Sequence, residues 1–251
     1  MSPGTRGAQD GENVRFAEFR EAVQGRLIVS CQALPGTPMA DPAVIAAVAR
    51  SVELAGAAAL RLAGAENIAA VRPGSTLPII GIYKTPDRSQ VYITPDFASA
   101  QAVVAAGADV VALQATEPRT ANCDPLPELI ARIHAELGVP VMADVATLAE
   151  GRLAMAAGAD LVATTLSGYT PTSLHCEDPD LDLVSALASA GFPVIAEGRY
   201  RTPEQVTEAL RRGAFAVVVG TFITMPDRIT RYFLSRLERL TALGDGEVVG
   251  G

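Results

Sequence analysis

The chain has 251 residues, 49% of them hydrophobic and 19% charged, which is enough apolar material for one large core. A formal net charge of −8 and the absence of any basic stripe exclude a nucleic-acid surface, while leaving room for local binding of an anion. Three isolated cysteines (Cys31, Cys123, Cys176), no zinc-like Cys/His spacing, no apolar run of about 18 residues and a polar N-terminus together predict a cytoplasmic protein without disulfides, structural zinc or a membrane span.

Residues 1–12 read as disordered. Phe16, Phe19 and Val23 then recur at helical spacing and predict a short helix that plugs the bottom of the fold. Aromatics make up only 5% of the chain, so the core must come from Ala, Val, Leu and Ile. A repeat follows. Ala55-Gly56-Ala57, Ala106-Gly107-Ala108, Ala157-Gly158-Ala159 and Gly213-Ala214 each close an alanine-rich helical segment and precede an apolar run, at intervals of roughly 50 to 60 residues. Glycine suits the left-handed conformation that ends a helix. The runs predict strands at 59–62, 110–113, 161–164 and 216–219, and four more lie between them at 27–30, 78–82, 139–143 and 193–196. Those at 193–196 and 216–219 show no alternation with polar residues, as expected for strands of a parallel sheet buried on both faces. Eight strand–helix units with right-handed crossovers predict an α/β fold, a single (β/α)8 TIM barrel over residues 13–243, a size matching the usual length of about 250 residues. An open doubly wound sheet is disfavoured because Ser-Cys-Gln-Ala-Leu-Pro-Gly, not G-x-G-x-x-G, follows the first strand. A last helix near 226–243 and a flexible tail, 244–251, complete the chain.

In such barrels chemistry sits at the carboxyl ends of the strands. Those ends read Gln32, Arg61, Lys84, Gln114, Asp144, Thr165, Glu197 and Gly220. Lys84 and Glu197 arise on opposite sides of the ring and can converge over the mouth. A lysine made less basic by partial burial can take a proton from carbon beside a carbonyl, and a carboxylate facing it can act as partner acid or base. A plain salt bridge across the mouth is the bland alternative. Arg61 and Asp144 can hold substrate hydroxyl or amide groups, and Gln32 can do so without charge. The set requires no metal; one carboxylate from strand 5 and one from strand 7 holding Mg2+ is the weaker alternative. The loops after strands 7 and 8 form the usual phosphate site, where Gly198, Arg199, Gly220 and Thr221 supply donors. Cys31 reads as a small barrel-lining residue, His134 as a helix-surface residue, and the loop 171–182 as a candidate lid.

The segments 27–36, 78–84, 91–95, 142–147, 164–170 and 194–205, among them Ser30-Cys31-Gln32-Ala33-Leu34, Thr164-Thr165-Leu166-Ser167-Gly168-Tyr169-Thr170 and Ala196-Glu197-Gly198-Arg199, resemble the N-acetylmannosamine-6-phosphate 2-epimerases. The resemblance spans residues 27–233 and implies a cofactor-independent (β/α)8 isomerase acting on an amino sugar phosphate. It implies that Lys84 shuttles the C2 proton, that Glu197 is its acid/base or ring-opening partner, and that Gln32, Arg61 and Asp144 bind the sugar and its N-acetyl group; Gln114, Thr165 and Arg199 complete the expected substrate set. Three positions depart from the family pattern. Ala63 stands in place of a carboxylate, Gln114-Ala115-Thr116 in place of D-A-T, and Met225 in place of the arginine of T-R-P. Loss of that arginine removes a charge-assisted contact of about 1.5–3 kcal/mol. The departures leave two alternatives: the same proton transfer on a different substrate, phosphorylated or not, or a non-catalytic sugar-binding protein. An alanine-rich outer ring is compatible with a homodimer.

Overall fold

Short apolar runs that cannot hide both faces alone close on one another. The structure, a computed structural model, describes residues 14–173 and 175–244. The strands are β1 (Leu27–Cys31), β2 (Ala59–Ala63), β3 (Ile79–Ile82), β4 (Val110–Gln114), β5 (Val141–Asp144), β6 (Leu161–Ala163), β7 (Val194–Glu197) and β8 (Ala216–Val219). All pair in parallel with their sequence neighbours, and β8 returns to β1, so the sheet is a closed eight-stranded (β/α)8 barrel. Around it run α2 (Pro42–Leu54), α3 (Ala65–Val71), α4 (Phe97–Ala105), α5 (Leu126–Arg132), α6 (Leu148–Ala156), α7 (Leu181–Ser189) and α8 (Pro203–Arg211). Before the barrel comes α1 (Val14–Val23); after it come α9 (Thr221–Thr224) and α10 (Pro226–Gly244). The expected disorder of 1–12 and of the tail falls, Gly244 apart, outside the described residues. Among those residues no helix is long and apolar enough to cross a membrane.

The helices start where a side chain can take their free N–H groups. Asp41, Asp96, Thr147, Asp180 and Thr202 each cap the helix that follows, Thr202 reciprocally with Gln205. The repeated glycines end them: Gly56, Gly107, Gly158 and Gly213 all have φ between 95° and 112°.

Two cores result from the two faces of the pleat. Inward residues such as Ile28, Ile80, Met142, Leu161, Ile195 and Val218 fill the barrel, and Phe19 and Val23 of α1 join them from below. The plug expected from Phe16, Phe19 and Val23 is therefore present, held by the Gly25 N–H to the Phe215 carbonyl at 2.8 Å. Outward residues such as Val29, Leu62 and Val111 pack under the helices. Cys31 belongs to this second set, beside Ile45 and Ala49, which corrects its reading as a lining residue. Side chains alternate along a strand, so Ser30 and Gln32 line the interior and Cys31 cannot.

Gly81 faces outward in the middle of β3, against Ile68 of α3, Val103 of α4 and Ala108 just past α4. A Cβ there would stand 2.6 Å from the Ala108 Cβ and 3.1 Å from the Ile68 Cδ1. Gly81→Ala is expected to cost about 1–3 kcal/mol through overpacking, seen as a lower denaturant midpoint at unchanged slope.

Candidate active site

The inward alternation that fills the barrel continues past the apolar lining into polar residues. Ile28 is followed by Ser30 and Gln32, Ala59 by Arg61, Ile82 by Lys84, Ala112 by Gln114, Met142 by Asp144, Ala163 by Thr165, Ile195 by Glu197 and Val218 by Gly220. The structure thus brings the strand-end residues to one end of the barrel.

Arg61 is the centre of the charged group. It is 1% exposed, and its Nη2 donates to Asp144 Oδ2 at 2.5 Å, with Asp144 itself fully buried. Its Nη1 donates to Glu197 Oε2 and, at 3.0 Å, to Thr165 Oγ1. The Thr165 hydroxyl donates to Asp144 Oδ1 at 2.7 Å and lies 3.2 Å from Glu197 Oε2. Burial works against the guanidinium charge, but Asp144 and then Glu197 outweigh it and hold Arg61 protonated well above its usual range. Burial also pushes the Glu197 carboxyl up; Arg61 offsets part of this and Asp144 adds to it. The backbone of Glu197 is fixed by Thr164, whose hydroxyl accepts its N–H at 3.0 Å and donates to its carbonyl at 2.9 Å. The guanidinium thus bridges the two carboxylates.

Lys84 stands two residues past β3, in an arm that folds back on itself. It forms an antiparallel bridge with Ile93, flanked by bonds from the Thr85 N–H to the Tyr92 carbonyl (2.9 Å) and from the Thr94 N–H to the Tyr83 carbonyl (2.7 Å). Gln114 and Thr94 fasten this arm to β4. The Gln114 N–H donates to the Ile93 carbonyl at 2.9 Å, its Oε1 accepts the Tyr92 N–H at 3.0 Å, and its Nε2 donates to Thr116 Oγ1 at 2.8 Å. Gln114, expected to meet substrate, gives its amide oxygen to the arm and its amide nitrogen to Thr116.

The Lys84 Nζ donates to Gln32 Oε1 at 2.6 Å, and the Gln32 Nε2 donates to Ser30 Oγ at 2.7 Å. The lysine side chain is exposed to the open mouth, yet its head is partly dehydrated. That burial, with the positive charges of Arg61 and Arg88, lowers its pKa to about 8 against the pull of Glu197 and Asp144. Lys84 and Glu197 are thus joined through the field of the mouth, one bonded to Gln32 and the other to Arg61. One sequence signal sets Lys84 apart: it is the single lysine of the chain, beside 19 arginines. Tyr92 was not among the strand-end candidates because it lies on the arm. Burial and the nearby Asp144 raise its pKa, and Arg88 stands 5.5 Å over its ring.

Arg199 is placed differently from its expected substrate-binding role. Held at φ 62°, it donates to the carbonyls of Asp178 (2.9 Å) and Ser167 (2.6 Å) and to Cys176 Sγ (3.0 Å). Arg201 donates to the Glu177 carbonyl at 2.7 Å. The two arginines strap down the loop read as a candidate lid. Gly198 lies beside the carbonyls of Thr164 and Thr165. Gly220 precedes α9, and its carbonyl accepts the Ile223 N–H at 2.9 Å and the Thr224 N–H at 3.0 Å. The Thr221 hydroxyl turns to Met225 Sδ, 3.7 Å away. His134 lies at the opposite end of the barrel, its Nε2 2.8 Å from Asp160 Oδ2.

Comparison with known proteins gives one consistent result. The chain matches the family model NanE, described as "Putative N-acetylmannosamine-6-phosphate epimerase", over residues 45–239. It is 47% identical over 222 residues to the "Bifunctional enzyme NanE/NanK" of Brucella melitensis, covering 88% of this chain and 42% of that protein, so it spans less than half the length of that relative. It is 47% identical over 223 residues to the "Putative N-acetylmannosamine-6-phosphate 2-epimerase" of Thermosynechococcus vestitus, covering 88% of this chain and 97% of the relative. The solved structure of the N-acetylmannosamine-6-phosphate 2-epimerase from Clostridium perfringens matches with a TM-score of 0.83 at 36% identity, covering 92% of this chain and 99% of the other.

Arg61→Met would leave Asp144 and Glu197 buried without their cation, at a cost of about 3–5 kcal/mol near pH 7. A carboxyl whose folded pKa lies above its unfolded value binds a proton more readily in the fold, so acid favours the folded state. The deficit is therefore expected to narrow as pH falls towards 5. Guanidinium midpoints of wild type and variant at the two pH values check this; an equal deficit at both would show that the arginine is not neutralising these carboxylates.

Proposed function

The chain belongs to the N-acetylmannosamine-6-phosphate 2-epimerase family, and on that premise we propose that it interconverts N-acetylmannosamine 6-phosphate and N-acetylglucosamine 6-phosphate. Inverting C2 requires only that its proton leave one face and return to the other. In the open-chain sugar C2 adjoins a carbonyl, so the electron pair left by the proton is held as an enolate. Lys84 takes the C2 proton. Glu197 returns it or assists ring opening, and burial raises its pKa in the direction that favours taking up a proton. Arg61, Asp144, Thr165 and Gln32 hold the sugar hydroxyls and the N-acetyl group. The N–H groups of Gly198, Gly220 and Thr221 receive the phosphate. The observation that carries this reading is an amine with its pKa lowered to about 8, standing over a mouth whose carboxylates are held by a buried arginine.

A second reading, the same proton transfer on a sugar without phosphate, is favoured by one observation. Arg199 and Arg201 are committed to loop carbonyls, and the Thr221 hydroxyl faces a thioether. A cytoplasmic location is supported by the free cysteines. Homodimerisation through the outer helices is supported by the exposed Phe233, Leu234 and Leu237 of α10.

Exchange of the C2 proton in D2O, followed by NMR with the phosphate ester and with the unphosphorylated sugar, tests both readings. Exchange with the ester supports the first, exchange with the free sugar alone the second, and exchange with neither sinks both. Lys84→Met is expected to lower exchange by a factor on the order of 10² or more; unaffected turnover would remove Lys84 from the mechanism. The base must be neutral to act, so turnover is expected to rise with pH through about 8, the pKa of Lys84, with about a tenth of the amine neutral at pH 7. A rate that is flat from pH 6 to 9 would contradict this assignment.

A further inference from the structure

We propose that Ser30 is a positioning residue for Lys84, acting through the amide of Gln32. The inference rests on the reading of Lys84 as the base.

Ser30 is an inward residue of β1, 5% exposed, one pleat below Gln32. Its hydroxyl accepts the Gln32 Nε2 at 2.7 Å, which turns the Gln32 carbonyl oxygen to Lys84 Nζ at 2.6 Å. That orientation matters to the chemistry. A neutral amine has two N–H donors and one lone pair. With one N–H given to Gln32 Oε1, the lone pair is left free to form the new N–H bond as the C2–H bond breaks, the C–H electron pair remaining in the substrate enolate. A flipped amide would aim its own N–H at that lone pair and block it. An amide is symmetric in shape, so packing alone does not choose between the two orientations. The Ser30 oxygen does.

Ser30 is itself held from the other side. Its carbonyl accepts the Thr224 hydroxyl at 2.8 Å, and a Cβ on Gly220 would come within 3.1 Å of its Cβ. The turn after β8 thus fixes the serine, the serine fixes the amide, and the amide fixes the amine. The charged groups acting on Lys84 from the other strands and from its own arm are Arg61, Asp144, Glu197 and Arg88. Among the described residues none of these four hydrogen-bonds to Ser30 or Gln32.

Lys84 is the only lysine, so ε-13C-lysine labelling yields one side-chain signal whose titration can be followed without substrate. Ser30→Ala lets the amide flip, removes the acceptor from the ammonium part of the time, and is expected to lower the Lys84 midpoint by about one pH unit. Gln32→Glu offers an oxygen in either orientation and is expected to raise it. In the Gln32→Glu background, Ser30→Ala is expected to move it little. Turnover in Ser30→Ala should fall about tenfold with KM nearly unchanged, the KM-against-kcat split marking a base that is misdirected, not a mouth that is misshapen. A wild-type midpoint and rate in Ser30→Ala overturn the proposal, as does an equal shift in both backgrounds, which would route the effect around Gln32. If Ser30→Ala does not fold, Gln32→Glu decides alone: no upward movement of the midpoint breaks the link. Absence of sugar turnover in wild type would defeat the functional reading, while the substrate-free titration still decides the role of Ser30.

Discussion

Every second residue of a strand faces the same way, and in a closed barrel that face has only two uses. Below, it must be filled with apolar side chains; above, it opens to solvent. The change from one to the other takes a single pleat in this chain. Ala59 gives way to Arg61, Met142 to Asp144, Ala163 to Thr165 and Ile195 to Glu197. The floor of the site is therefore the roof of the core. Its residues inherit rigidity from strands that hydrogen-bond on both sides, with registers such as Ser30 against Arg61 and Gln114 against Asp144 fixing their heights.

So abrupt a change places charge at depth. Arg61 is as buried as a core leucine and stays charged because two carboxylates and a hydroxyl meet it there. Its Nε is buried without a hydrogen-bond partner, so the site is polar beyond what its own groups satisfy. Arginine suits this duty because it does not give up its proton, and its planar fork reaches two acceptors at once. Lysine suits the opposite duty. Of the 20 lysine and arginine side chains 19 are arginine, and the one lysine stands at the mouth of the barrel.

Much of this was legible in the sequence because the barrel repeats itself. Glycines that must adopt positive φ, alanine-rich helices and uniformly apolar strands recur with one period, and the strand ends follow by counting. What counting missed was set by alternation and by loops. Cys31 and Ser30 are neighbours in sequence, and only the phase of the pleat tells which one lines the barrel. Gln114 sits at a strand end, as counted, but the returning arm takes its amide oxygen, a non-local pairing that no local pattern announces. Arg199 follows β7 as expected, yet the carbonyls of a loop more than 20 residues earlier claim its guanidinium. Tyr92 is invisible to a strand-end reading because the arm, not a barrel strand, carries it to the mouth.

The solitary lysine has a consequence beyond proton transfer. An amine with a pKa near 8 is also a better nucleophile at neutral pH than an ordinary lysine, and here it faces an open mouth. Acylating agents, isocyanate and reactive aldehydes that modify lysine side chains have only this one to reach. Where most proteins spread such chemical wear over a lysine-studded surface, here every modification of a lysine side chain falls at the mouth of the barrel.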